Sequence, residues 1–189
     1  MKYKTIPRNT ISKEYELNPK NVRRRELTVR WLKKFNIENK CLDCGDRSLL
    51  TDMIEKEYGV KIQNTTHNLD WKANDNNTNY ANIFIFEVIE HLLNPLLFLD
   101  WIKSCLHKDG SVFISTPLHR INILRNNKTH FHEFHFNELE YLIKQSGFII
   151  IDKTIINTTR FRYIFTGFKP FIRWLGFDRH ILLCLNKKS

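Results

Sequence analysis

The stretch Asn82-Ile83-Phe84-Ile85-Phe86-Glu87-Val88-Ile89-Glu90-His91-Leu92-Leu93-Asn94-Pro95 decides how the rest of the chain is read. From Ile83 to Phe86 every side chain is apolar, with no polar alternation, as in a short strand buried on both faces. Two carboxylates and an imidazole follow at positions i, i+3 and i+4. A helical turn beginning there places Glu87, Glu90 and His91 on one side. Asn94-Pro95 then supplies a cap and a first-turn proline for a helix running to about His107. A buried strand that ends in a polar cluster and is followed by a helix is half of a β-α-β unit.

The same alternation continues in both directions. Upstream, Asn18-Pro19 opens a helix to about Asn36, with Val22, Val29, Leu32 and Phe35 near one face and Arg23, Arg24, Arg30, Lys33 and Lys34 around it. Lys40 to Cys44 reads as a strand running into Gly45, Leu49 to Tyr58 as a helix stopped at Gly59, and Val60 to Asn64 as a second strand. Asp70 to Tyr80 is polar and Asn-rich, hence a loop. Downstream, Lys108-Asp109-Gly110 forms a turn before a strand at Ser111 to Ser115. Asn137 with Glu140 gives a capping box for a helix ending at Gly147, and Phe148 to Ile156 is β-rich. A basic aromatic segment from Arg160 to Trp174 leads to a last strand at His180 to Leu185. The order predicts an α/β fold: a mostly parallel sheet with helices on both faces.

With 189 residues, 42% hydrophobic and 26% charged, the chain is long enough for one buried core, and a single domain spanning 1–189 is expected. It opens with no secretory pattern, and no apolar run approaches a membrane span, so a cytoplasmic location is expected. Cys41, Cys44, Cys105 and Cys184 are too scattered for a disulfide framework and read as buried reduced thiols. The net charge of +10 is uneven: residues 1–40 carry 12 basic and 4 acidic side chains, 41–149 carry 10 and 14, and 150–189 carry 8 and 2. Basic ends around a mildly acidic centre suit an anionic partner, whether nucleic acid, a nucleotide-linked sugar or an anionic lipid surface, or leave a solvated basic surface.

From about Lys40 to about Phe148 the chain resembles the class I S-adenosylmethionine-dependent methyltransferases. The resemblance rests on Leu42-Asp43-Cys44-Gly45, Glu87-Val88-Ile89-Glu90-His91-Leu92, Asn94-Pro95, Lys108-Asp109-Gly110, Ser115-Thr116-Pro117, His132-Glu133-Phe134 and Gly147-Phe148, in that order. It implies a Rossmann-like, mostly parallel seven-stranded sheet, with residues 1–39 as an N-terminal helical segment and 40–189 as the α/β core carrying the basic aromatic insertion near 160–176. It also implies S-adenosylmethionine as cofactor, bound beyond the carboxyl ends of the strands. The cofactor-binding residues carried over are Asp43, Gly45, Asp46, Arg47, Asn64, Asp70 and Glu87. The family's longer glycine-rich loop is here reduced to Gly45, with Asp46, Arg47 and Ser48 after it. Two readings stand: a loop on another path, with Asp46 or Arg47 holding the amino acid end, or a scaffold that has lost the cofactor. Where the family has an acidic ribose ligand, this chain has Asn64, which accepts a hydrogen bond without bringing charge.

In related O-methyltransferases and RNA ribose methyltransferases a similar Glu-x-x-Glu-His holds a divalent metal. The resemblance therefore implies Glu87, Glu90, His91 and His132 as ligands of Mg²⁺ or Mn²⁺, which would act as a Lewis acid on an acceptor hydroxyl. The same string also occurs in methyltransferases that look metal-free, and there an imidazole, His91, His119, His132 or His135, would serve as catalytic base. The expected activity is methyl transfer to a small-molecule or saccharide-type acceptor, anionic in character, at oxygen. RNA ribose methylation with a metal and a non-catalytic binding scaffold are the alternatives. Peripheral membrane contact through Arg160 to Trp174 competes with a lid or crossover helix.

Overall fold

Apolar side chains on both faces of the central strands commit the sheet to a helical covering on each side. The computed structural model, which describes residues 17–65, 68–70, 79–119, 130–158 and 179–188, has both coverings. In chain order the elements are α1 (Pro19–Leu32), β1 (Cys41–Asp43), α2 (Leu49–Tyr58), β2 (Ile62–Asn64), β3 (Tyr80–Phe86), a 3-10 turn (Ile89–His91), α3 (Pro95–Cys105), β4 (Leu106–Pro117), α4 (Phe136–Gln145), β5 (Phe148–Asn157) and β6 (Arg179–Lys187). The strands lie in the order β2-β1-β3-β4-β6-β5. β1 to β4 pair in parallel, and β6 runs antiparallel to both β4 and β5. The sheet is thus six-stranded among the described residues, not seven-stranded as expected.

Period-2 alternation sorts the core into two layers. Leu42, Ile83, Ile85, Val112, Ile114 and Leu183 face α3 and α4, packing on Phe98, Ile102, Leu139 and Ile143. Cys41, Phe84, Phe113, Leu182 and Cys184 face α1 and α2, packing on Val29, Trp31, Leu32 and Ile54. All four cysteines are buried free thiols. Asn18 caps α1 by accepting from the Lys20 amide, and Asn94 caps α3 by accepting from Leu97, each ahead of a first-turn proline. No described helix is long and apolar enough to cross a membrane.

Three local expectations shift. α1 ends at Leu32 rather than near Asn36, and Arg25 and Thr28 join its buried side. β4 begins at Leu106, where a turn was expected at 108–110. Leu106 pairs with Tyr80 and Ser111 with Asn82, so residues 107–110 form an irregularity inside the ladder. Gly110 makes that possible: a Cβ there would lie 2.9 Å from the Ala81 carbonyl oxygen and 3.0 Å from that of Tyr80, closer than any side chain tolerates. Finally, α4 starts at Phe136, with the Glu138 carboxylate accepting from the His135 amide at 3.0 Å, two residues before the expected Asn137 cap. The basic aromatic segment 160–176 lies outside the described residues.

Candidate functional site

The chain leaves β1 toward β2 on one side, whereas β3 continues to β4 on the other. The order therefore reverses between β1 and β3, and the crevice beyond their carboxyl ends is where an open α/β sheet binds ligands. One lip is the turn after β1. Gly45 takes φ +132, a conformation that L side chains rarely adopt, and a Cβ placed on it would lie 3.7 Å from Val88 Cγ2 across the crevice. Its amide donates to Thr65 Oγ1 at 2.9 Å, and its carbonyl accepts from Asn64 Nδ2 at 3.2 Å. Bare backbone is thus held at the lip from both sides.

Beneath the turn, Asp43 is buried and accepts from Thr51 Oγ1 at 2.6 Å and from Asn64 Nδ2 at 3.2 Å. With both bonds of its amide nitrogen turned to Asp43 and Gly45, Asn64 keeps Oδ1 as a hydrogen-bond acceptor. Burial pushes Asp43 up to about 6, against the opposing bonds from Thr51 and Asn64 and the charge of Arg47. The folded state therefore prefers the protonated carboxyl. The stability this lends is present below the unfolded value and is lost as the pH rises through about 6. Asp43→Asn should escape that loss, gaining on the wild type by about 3 kcal/mol between pH 3.5 and 7.5. Urea midpoints of the two proteins across that range check this, and parallel curves would refute the buried-carboxyl account.

Arg47 forms ion pairs with Asp52 (2.6 Å) and Glu55 on the exposed side of α2. No bond joins it to Asp43, Gly45 or Asn64 among the described residues. Asp70 Oδ1 accepts from the amides of Leu93 (2.7 Å) and Asn94 (3.3 Å), pinning the start of α3 next to the crevice. Asp46 is exposed on the turn itself.

The other lip begins with Glu87, a non-glycine residue held at φ +56. Such a conformation costs on the order of 1 kcal/mol and persists where surroundings over-determine it. Arg24 of α1 reaches Glu87 Oε2 at 2.8 Å, Ser115 Oγ donates to Oε1 at 2.8 Å, and His180 Nδ1 lies 3.1 Å from each oxygen. Burial alone would raise this carboxyl, but the charges of Arg24 and His180 and the bonds from His180 and Ser115 hold it well below the carboxylate range. Glu90 goes the other way. It is almost fully buried, its Oε2 accepts from Thr116 Oγ1 at 3.0 Å, and burial together with the Glu87 charge raises it well above the ordinary value. Two acids three residues apart are thus pushed in opposite directions.

The histidine-rich strip before α4 lies beside this lip. The amides of Phe131 and His132 both donate to the Glu90 carbonyl, at 2.9 and 3.1 Å, and the His130 ring meets His91 edge to face at 4.7 Å. Ligand atoms of Glu90, His91 and His130 come within 4.8 Å of one another, an oxygen and nitrogen set able to hold a divalent ion. Glu87 and His132, expected in that set, are not in this cluster. Glu87 is taken up by its three donors, and His132 stacks on Phe134 with a buried Nε2 that has no partner among the described residues. His135 lies farther along, its ring 4.2 Å from His119, which faces Glu133 at 3.3 Å. Sequence reading missed Arg24, Ser115, His130 and His180 as site residues. Arg24 was masked by its place in a run of surface-type basic residues, and His180 by 93 residues of separation from its partner.

Residues 15–153 match the model of a family described as a methyltransferase domain. The chain belongs to this methyltransferase family. Among solved structures it is similar to an S-adenosylmethionine-dependent methyltransferase from Archaeoglobus fulgidus, with a TM-score of 0.64 and 16% identity over 92% of this chain and 98% of that one. It is also similar to the Burkholderia thailandensis 1,6-didemethyltoxoflavin-N1-methyltransferase, solved with 1,6-didemethyltoxoflavin and S-adenosylhomocysteine, at TM-score 0.56 and 11% identity over 91% and 79%. A Haemonchus contortus phosphoethanolamine N-methyltransferase 2 in complex with S-adenosyl-L-methionine gives TM-score 0.63 and 10% identity over 88% of this chain and 52% of that one. At these identities the likeness is one of fold. A search of curated proteins finds no match.

Proposed function

We propose that this methyltransferase, acting in the cytoplasm, passes the methyl group of S-adenosylmethionine to an oxygen of a small, anionic, saccharide-type acceptor. The observation that carries this reading is the crevice itself, with a bare-backbone turn at Gly45 on one lip and the clamped Glu87 carboxylate on the other. The residues present fit the cofactor: Gly45 admits its amino acid end, Asn64 Oδ1 accepts from the ribose, Asp43 fixes both, and Asp46 and Asp70 flank the opening. When bound, the cofactor supplies an electrophilic methyl. The chain's own part is to align the acceptor with it and exclude water. His91 and His132 stand on the acceptor side, and the unpartnered buried Nε2 of His132 suits a polar acceptor atom. The excess of basic side chains over the chain, a net charge of +10, favours a negatively charged acceptor.

A second reading, ribose methylation of RNA with a divalent metal, is favoured by the Glu90, His91 and His130 cluster. Those donors fit Mn²⁺ or Mg²⁺ once the Glu90 carboxyl gives up its proton, which makes ion binding pH-dependent. Calorimetric titration of S-adenosylhomocysteine, with and without Mn²⁺, followed by mass spectrometry of a panel of monosaccharides, nucleotide sugars and short RNA, tests both. Micromolar binding without metal and a mass gain of one methyl on a sugar hydroxyl are expected. Binding or turnover that requires Mn²⁺, with methylation confined to RNA, would install the second reading. No binding under either condition would leave a non-catalytic scaffold.

A further inference from the structure

We propose that His180, the second residue of β6, is the proton acceptor for the methylated hydroxyl, with Glu87, Arg24 and Ser115 as its positioning residues. The proposal rests on the oxygen-methylation reading above. β6 is the one antiparallel strand in the sheet interior, so its first residues lie at the edge where the parallel strands end. His180 pairs with Pro117 at the end of β4, and the Arg179 carbonyl accepts from the Leu118 amide at 3.0 Å. This registration carries a buried imidazole, its side chain 9% exposed, to the acceptor lip from a distant part of the chain.

The ring's tautomer follows from its partner. Glu87 is ionised and can only accept, so Nδ1 must carry the hydrogen that spans its two oxygens, 3.1 Å from each. In the neutral form of the ring Nε2 is then an acceptor, and no described residue bonds to it. Arg24 at 2.8 Å and Ser115 at 2.8 Å hold the carboxylate still, so the ring is fixed in both rotation and tautomer. The charged and titratable groups around it are Glu87 in direct contact, Arg24 on the far side of that carboxylate, Arg179 beside it on β6, and His130, which couples to it electrostatically.

In the reaction the acceptor O–H bond breaks and its proton passes to Nε2. The oxygen's electron pair forms the new O–C bond, and the C–S bond of the donor breaks with its pair going to sulfur. The imidazolium so formed lies against the Glu87 carboxylate, which stabilises it as charge develops. A buried imidazole polarised by a clamped carboxylate is the arrangement that ionises an alcohol near neutral pH without a metal.

Two measurements on the full chain saturated with S-adenosylhomocysteine decide the matter. Long-range ¹H–¹⁵N spectra, with the His180 signals assigned by their loss in His180→Asn, should show protonated Nδ1 and bare Nε2 at pH 8, and Glu87→Gln should mix the tautomers. An Nε2–H tautomer, or signals indifferent to Glu87→Gln, would overturn the assignment. With the acceptor found by the panel, His180→Asn should lower kcat about 10²- to 10⁴-fold, with KM and S-adenosylhomocysteine affinity changed less than about threefold. A matching loss in both, or an unchanged kcat, points to a structural role and sinks the proposal. Intact S-adenosylhomocysteine binding with the wrong tautomer removes only the role of His180. Failure of binding in the wild-type protein removes the parent reaction as well.

Discussion

Replacing Phe113 by alanine should destabilise the protein by about 3–5 kcal/mol. Phe113 is fully buried in β4, at the middle of the sheet. Its ring stacks on Phe84 of the neighbouring strand at 5.6 Å and receives the edges of Trp31 and Phe35 at 5.8 and 5.2 Å. Truncation therefore removes a ring's worth of buried area and leaves a void walled by three other aromatics that cannot all collapse inward. The effect reaches the crevice, because Trp31 belongs to α1 and the same helix delivers Arg24 to Glu87. Urea unfolding followed by circular dichroism measures the loss. Phe113→Leu, which keeps most of the volume, should cost less than half as much. A drop below about 1 kcal/mol for the alanine variant would mean that α1 does not rest on this cluster.

The layered fold was legible because hydrophobic period is a local property. Ile83, Phe84 and Ile85 announce a strand buried on both faces, and Asn18-Pro19 and Asn94-Pro95 announce helices that start where expected. The first lip was legible for the same reason: Asp43, Gly45 and Asn64 end two strands and meet there because parallel pairing aligns Asp43 with Asn64. Partnership across long separations was not legible. Nothing local in Arg24-Arg25 shows that one arginine turns to a carboxylate 63 residues away while Arg30, on the same helix, stays exposed. The period of α1 was read from Val22, Val29, Leu32 and Phe35, and Trp31 was overlooked. Trp31 donates to Asp152 of β5 at 2.7 Å and sets which way the helix rolls. The metal quartet failed in part for a conformational reason. Glu87 leaves the strand at positive φ, and the helical turn begins only at Ile89, so Glu87 and Glu90 do not share a helical face. One carboxyl goes to the Arg24 and His180 side and the other to Thr116.

That division underlies the second large effect, expected for Glu87→Ala. Removing the carboxylate takes from the Arg24 guanidinium, whose side chain is 14% exposed, its 2.8 Å ion pair, and from the His180 ring the acceptor of Nδ1. Breaking one member out of a buried ion pair costs about 3–5 kcal/mol, mainly through the uncompensated charge left behind. Alanine at φ +56 offers no relief of backbone strain either. A double variant shows whether this is the mechanism. With Arg24→Met in the same chain the pair is removed as a whole, so the combined loss should be well below the sum of the single losses. Additive losses would argue against a coupled pair. The pH dependence gives an independent check. A carboxyl held below its unfolded value contributes stability that is present above about pH 4.5 and fades as the pH falls, so the gap between wild type and Glu87→Ala should narrow in acid. Asp43 behaves oppositely, because burial outweighs the bonds from Thr51 and Asn64 and the charge of Arg47. The Glu90 carboxyl, raised in part by the Glu87 charge, should release its proton more readily in the variant. Any Mn²⁺ affinity of the Glu90, His91 and His130 cluster should then rise in Glu87→Ala, whereas a site that used Glu87 as a ligand would lose it.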